Sequence, residues 1–127
     1  MRRALTSPAA VLVTCGVLVA AAGLTGSPSR QAQTPQVVEI TAERFSFTPS
    51  EIKVKAGTAL EIRLRSDDTA HGFRILGTDI DLELPKRGRG VATVRFQPSD
   101  RGRYTFECSR LCGAGHAFMR GVIIVGD

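Results

Sequence analysis

The chain has 127 residues, of which 43% are hydrophobic and 23% charged, with 17 Lys and Arg against 12 Asp and Glu. That length holds one domain, and the balance excludes a disordered, collagen-like or disulfide-dense chain. The formal charge of +5 would suit nucleic acid or a membrane surface, so where the charge lies decides what it means.

Met1-Arg2-Arg3 precedes an apolar run of sixteen residues from Ala9 to Leu24. A spanning helix needs about 20 apolar residues, so the pattern predicts a signal peptide over residues 1–26, with Ala20-Ala21-Ala22 as a small-residue cleavage site. A retained membrane anchor is the alternative, since a bilayer thins locally around a short span. Arg2-Arg3 also fits twin-arginine export, and Cys15 reads as a small apolar residue of the run. Apart from Ala32, residues 27–36 are Ser, Pro, Arg, Gln and Thr without an apolar period, and are predicted to be a linker. Removing Met1 to Ala32 takes away Arg2, Arg3 and Arg30 and leaves 14 basic against 12 acidic residues, a charge of +2. The basic excess is thus mostly export or linker charge, and no nucleic-acid partner is expected.

Residues 37–127 read as one all-β domain. Val38, Ile40 and Ala42 alternate with Glu39, Thr41 and Glu43; Ile52 and Val54 alternate with Glu51, Lys53 and Lys55; Leu60, Ile62 and Leu64 alternate with Glu61, Arg63 and Arg65. Period two marks strands with one buried face. Further strands are predicted over 72–76, 80–84, 91–96, 102–107 and 121–125, separated by turn signals such as Ser66-Asp67-Asp68 and Gly77-Thr78-Asp79. Asp67 and Asp68 read most simply as turn formers, and Lys86 to Gly90 as a solvated turn. Seven or eight short strands at this spacing predict a Greek-key β-sandwich or barrel.

The chemistry gathers in the segment Cys108 to Met119, which lies between two predicted strands. It holds Cys108, Cys112, His116 and Met119; the other histidine, His71, stands at a strand start after the Asp67-Asp68 turn. In a sandwich that turn can lie at the same pole as the last inter-strand loop. Thiolate, imidazole and thioether together are copper ligands. A mononuclear blue-copper site takes two His, one Cys and a weak Met and leaves one Cys over. A dinuclear site with Cys108 and Cys112 as bridges uses both, with one His on each copper, Met119 as a weak ligand and a backbone carbonyl as another. Two Cys in an exported chain would otherwise form a disulfide, which stays the expectation for oxidised, copper-free protein.

Cys108-x-x-x-Cys112-x-x-x-His116-x-x-Met119, with Asp68-Thr69-Ala70-His71-Gly72-Phe73 upstream, resembles the CuA domain of cytochrome c oxidase subunit II, of the cupredoxin superfamily. Within it the likeness is nearest to the single-anchor subunit II of B-type haem-copper oxidases. Phe45-Ser46-Phe47-Thr48-Pro49 resembles the entry to that domain. The resemblance spans roughly Val38 to Val125. It implies a cupredoxin-like fold holding two copper ions, with Cys108 and Cys112 as bridging thiolates, His71 and His116 as imidazole ligands, Met119 as thioether and the carbonyl of Arg110 as the remaining donor. The assignment of His71 rests on this resemblance. Many members carry Glu where this chain has Arg110; the donor is main-chain, so the ligand survives the change. The resemblance further implies electron transfer without bond-making chemistry. Electrons would come from cytochrome c or a small copper protein and pass to an oxidase catalytic subunit, on the periplasmic or outer face of the membrane. Ala117 and Phe118 are candidates for an apolar docking surface. An exported copper-delivery protein is the alternative function. A thiol–disulfide exchanger would bring βαβ organisation that this sequence lacks.

Overall fold

A computed structural model describes residues 33–127; the expected export segment and the first part of the linker lie outside them. Nine strands follow in order: β1 (Gln36–Glu43), β2 (Ser46–Thr48), β3 (Glu51–Lys55), β4 (Leu60–Ser66), β5 (His71–Ile75), β6 (Asp81–Leu84), β7 (Ala92–Phe96), β8 (Gly102–Glu107) and β9 (Arg120–Gly126). Among the described residues a single 3₁₀ turn, His116–Phe118, interrupts them. The all-β expectation holds. The strand unread in the sequence is β2, whose three residues include one apolar side chain, Phe47, too few to establish a period. No helix among the described residues is long and apolar enough to cross a membrane.

The strands form two sheets, β2-β1-β4-β7 and β3-β9-β8-β5-β6. Each has one parallel pair, β1 with β4 and β3 with β9, among antiparallel neighbours. The alternation read from sequence is the burial pattern observed: Ile52 and Val54 are buried between exposed Glu51, Lys53 and Lys55, and Leu60, Ile62 and Leu64 line the inner face of β4. The inner faces meet in one core, in which Ile40, Ala42 and Ile62 of one sheet join Ile75, Phe106 and Ile123 of the other. Phe47 bridges the sheets, with its ring 5.9 Å from Phe73 and 5.4 Å from Phe106 in edge-on contacts. Each such ring contributes about 1.5–3 kcal/mol by burial alone, and edge-to-face geometry adds to it.

Topology places the site. Strands β5 and β8 are antiparallel, with Arg74 opposite Glu107, so the start of β5 lies beside the end of β8. His71, the first residue of β5, therefore meets the segment that leaves β8 at Cys108.

Candidate metal centre

The segment from Cys108 to Met119 is closed at its base by the Cys108 amide, which donates to the Met119 carbonyl at 3.0 Å. Inside, the 3₁₀ turn is held by His116 N–H to Gly113 O at 3.1 Å and Phe118 N–H to Gly115 O at 3.0 Å. On the β5 side the approach is tighter than a side chain allows: a Cβ at Gly72 would stand 2.6 Å from the Arg110 amide nitrogen. Only glycine lets β5 lie this close, and the Gly72 amide then points at Cys108 Sγ, 3.4 Å away.

Cys108 and Cys112 are free, with their sulfurs 3.7 Å apart, which is far beyond a disulfide bond length. Each thiol faces one imidazole: Cys108 Sγ stands 3.9 Å from His71 Nδ1, and Cys112 Sγ 3.8 Å from His116 Nδ1. Met119 Sδ lies 3.8 Å from Cys112 Sγ, and Cys108 Sγ lies 3.0 Å from the Arg110 carbonyl oxygen. Ligand atoms of His71, Cys108 and Cys112 fall within 4.8 Å of one another, and His116 and Met119 adjoin through Cys112. All six residues singled out in the sequence thus come together. His71, Cys108, Cys112 and Met119 are buried, and His116 is half-buried. The donor set of two thiols, two imidazole nitrogens, one thioether and one carbonyl oxygen suits a soft transition metal. Met119 is fully buried, yet its sulfur is turned to the cysteine pair rather than serving only to fill the core.

Two residues outside that set shape it. Asp68, expected to be a turn former, also accepts from His71 Nε2 at 2.7 Å. A carboxylate in this place fixes the tautomer and orientation of the imidazole and leaves Nδ1 turned to the Cys108 thiol, available to a metal. Burial favours the neutral acid at Asp68, but the hydrogen bonds from His71, the Arg44 amide and the Thr69 backbone outweigh it and hold the carboxyl at about 2. Burial, and then the neighbouring Cys108 thiol, push the Cys112 thiol up to about 11. The three-residue spacing of Asp68 and His71 was visible in the sequence. The second residue, Arg44, left no sequence signal, because its partner Cys112 is 68 positions away.

Around the donors the surface is mixed. Arg110 pairs with Glu83, Arg74 donates to Glu107 at 2.9 Å, and Ser109 donates to Asp81 at 2.6 Å. Leu111 and Phe118, each one residue before a candidate ligand, are 82% and 81% exposed.

The cupredoxin-like domain family matches residues 16–125. The chain belongs to that family. Among cupredoxin-like proteins it resembles the CuA domain of oxidase subunit 2: it is 37% identical over 91 residues to cytochrome c oxidase subunit 2 of Thermus thermophilus, a match covering 71% of this chain and 65% of that protein. Against a second, longer subunit 2 from the same organism a match of equal identity covers 52%, so the chain spans between half and two thirds of these relatives. Among solved structures, a haem-copper terminal oxidase dimer contains a chain that superposes with a TM-score of 0.64 at 30% identity, over 72% of this chain and 65% of that one. The periplasmic domain of subunit II of cytochrome oxidase from Bradyrhizobium japonicum superposes with a TM-score of 0.67 over 76% of this chain and 87% of that one; at 18% identity it shows the shared cupredoxin-like fold.

Proposed function

We propose that this cupredoxin-like domain carries single electrons through a dinuclear copper centre of the CuA type. Cys108 and Cys112 are the proposed bridging thiolates, with His71, His116, Met119 and the Arg110 carbonyl as the other ligands. The observation that carries the reading is the arrangement of the two thiols, facing each other without a bond and each set against its own imidazole. A mononuclear site would leave one of these thiols buried and unused.

Held by Cys108, Cys112, His71, His116, Met119 and the Arg110 carbonyl, a copper pair would supply one-electron chemistry with the charge shared over both ions. The protein's part is to keep the ligands from moving. Asp68 holds His71, the Cys108–Met119 backbone bond holds the ends of the segment, and burial of both sulfurs and of His71 excludes water. Positions already fixed before charge arrives require little rearrangement on its arrival.

Likeness to oxidase subunit 2 supports a position on the periplasmic side after export through residues 1–26, cleaved or retained as an anchor, followed by the linker over 27–36. In this reading the domain receives electrons from cytochrome c or a small copper protein and delivers them to an oxidase catalytic subunit. Exposed Leu111 and Phe118 beside the ligands offer the donor an apolar contact close to the metals.

The test is to load the purified chain with copper, count copper per chain and record its visible and electron paramagnetic resonance spectra. Two coppers sharing one unpaired electron support the proposal. A single blue copper, or Cu(I) held without that signal as in a delivery protein, overturns it.

A further inference from the structure

The turn between β1 and β2 reaches both halves of the metal centre. The Arg44 amide donates to Asp68 Oδ2 at 3.0 Å, and Asp68 holds His71 through its other oxygen. From the same residue the guanidinium Nε donates to the Cys112 carbonyl at 2.9 Å. Next in sequence, Phe45 presses its ring on the ligand segment. A Cβ at Gly115 would fall 2.2 Å from Phe45 Cδ2, and one at Gly113 would fall 2.9 Å from Phe45 Cε1. One dipeptide thus touches the His71 side through a backbone bond and the Cys112–His116 side through a charge-assisted bond and a ring face.

We propose that Arg44 is a positioning residue of the metal centre: its side chain pins the Cys112 carbonyl and supplies a fixed positive charge that favours the reduced state. A hydrogen bond from a charged donor is about twice as strong as a neutral one. The guanidinium fork also holds direction in a way a lysine ammonium does not. The Cys112 carbonyl is the main-chain group of a proposed bridging ligand, so fixing it fixes the sulfur's starting point. A positive charge beside the site stabilises the state with one more electron, so removing it lowers the midpoint potential. The backbone bond to Asp68 does not involve the side chain, so replacing Arg44 with Met, Gln or Lys isolates the Cys112 contact from the His71 contact.

The test compares full-length wild type with Arg44→Met, Arg44→Gln and Arg44→Lys. After copper loading, Arg44→Met and Arg44→Gln are expected to lower the midpoint potential. Arg44→Met is expected to lose about 10- to 100-fold in copper affinity against a chelator, the usual effect of removing an outer contact. Arg44→Lys is expected to restore the potential, because it keeps the charge, while recovering only part of the affinity. A wild-type potential and affinity in Arg44→Met would overturn the proposal. The electrochemical comparison rests on the copper reading, so the copper-free chain supplies an independent one. There, Arg44→Met is expected to speed hydrogen exchange at the His116 and Phe118 amides, and unchanged exchange would count against the pinning role even if no copper bound. Failure of the wild type to take up copper would instead strike the functional reading.

Discussion

His71 is held between two partners on opposite edges of its ring: Asp68 Oδ1 stands 2.7 Å from Nε2, and Cys108 Sγ stands 3.9 Å from Nδ1. The carboxylate therefore determines which nitrogen faces the thiol. Asp68→Ala is expected to lower copper affinity by about 10- to 100-fold, measured by competition with a chelator. In the copper-free chain the carboxyl titrates at about 2, below its ordinary 3.8. It thus contributes stability that is complete above its ordinary value and lost as pH falls toward 2. Asp68→Ala should flatten the acid limb of the stability curve, and an unaltered limb would show that the carboxylate is not the group responsible.

The raised Cys112 thiol gives the opposite pH dependence. Between its ordinary 9.0 and about 11, the unfolded chain loses this proton while the folded chain keeps it, so copper-free stability falls with rising pH in that window. Denaturant midpoints taken at about pH 8 and about pH 10.5 should differ, with the higher pH less stable, and Cys112→Ser should remove much of the difference. Near neutrality the same bound proton must leave when a metal arrives. Copper uptake should therefore release protons into a weakly buffered solution, and apparent affinity should rise with pH.

The contact of Phe45 with Gly115 admits no added atom. Gly115→Ala is expected to cost about 1–3 kcal/mol by overpacking. Phe45→Leu in the same chain should relieve part of that cost, giving a coupling energy above about 0.5 kcal/mol in a double-mutant cycle. Additive effects would mean that the ring and the glycine do not meet in solution.

Leu111 and Phe118 are exposed enough that replacing them should leave folding within about 0.5 kcal/mol of wild type. Leu111→Ser and Phe118→Ser should leave the copper spectrum unchanged while slowing electron entry from a protein donor. A loss of about tenfold, or ~1.4 kcal/mol, would mark either residue as central to docking. Stopped-flow reduction by a small-molecule donor supplies the control, since it needs no docking surface. Equal slowing with both donors would place the effect in the site rather than at the surface.

Much of this was legible in the sequence because it is periodic or local. Alternation of apolar and charged residues located β3, β4 and the inner face of β1, since a half-buried strand leaves no other pattern. The ligand segment was legible because four donor side chains lie within one loop. What escaped were short or distant features. β2 buries a single ring, and the His116–Phe118 turn is one turn long. Asp68 looked like any turn aspartate until the fold brought the next strand's first residue against it. Arg44 sits in an unrelated turn, and only the closeness of β1 to the ligand segment gives it a role.

The hydrogen bond between the Cys108 amide and the Met119 carbonyl closes the ligand segment where β8 ends and β9 begins. Both sheets are complete without the residues between those two, so the segment behaves as a cassette inserted in a finished scaffold. Its codons, exchanged as a block for a stretch of different length and donor content, could re-specify which metal is held and how many ions, while the nine strands are inherited unchanged. Such a swap would retain its grip on the scaffold only if it kept small residues where Phe45 now rests.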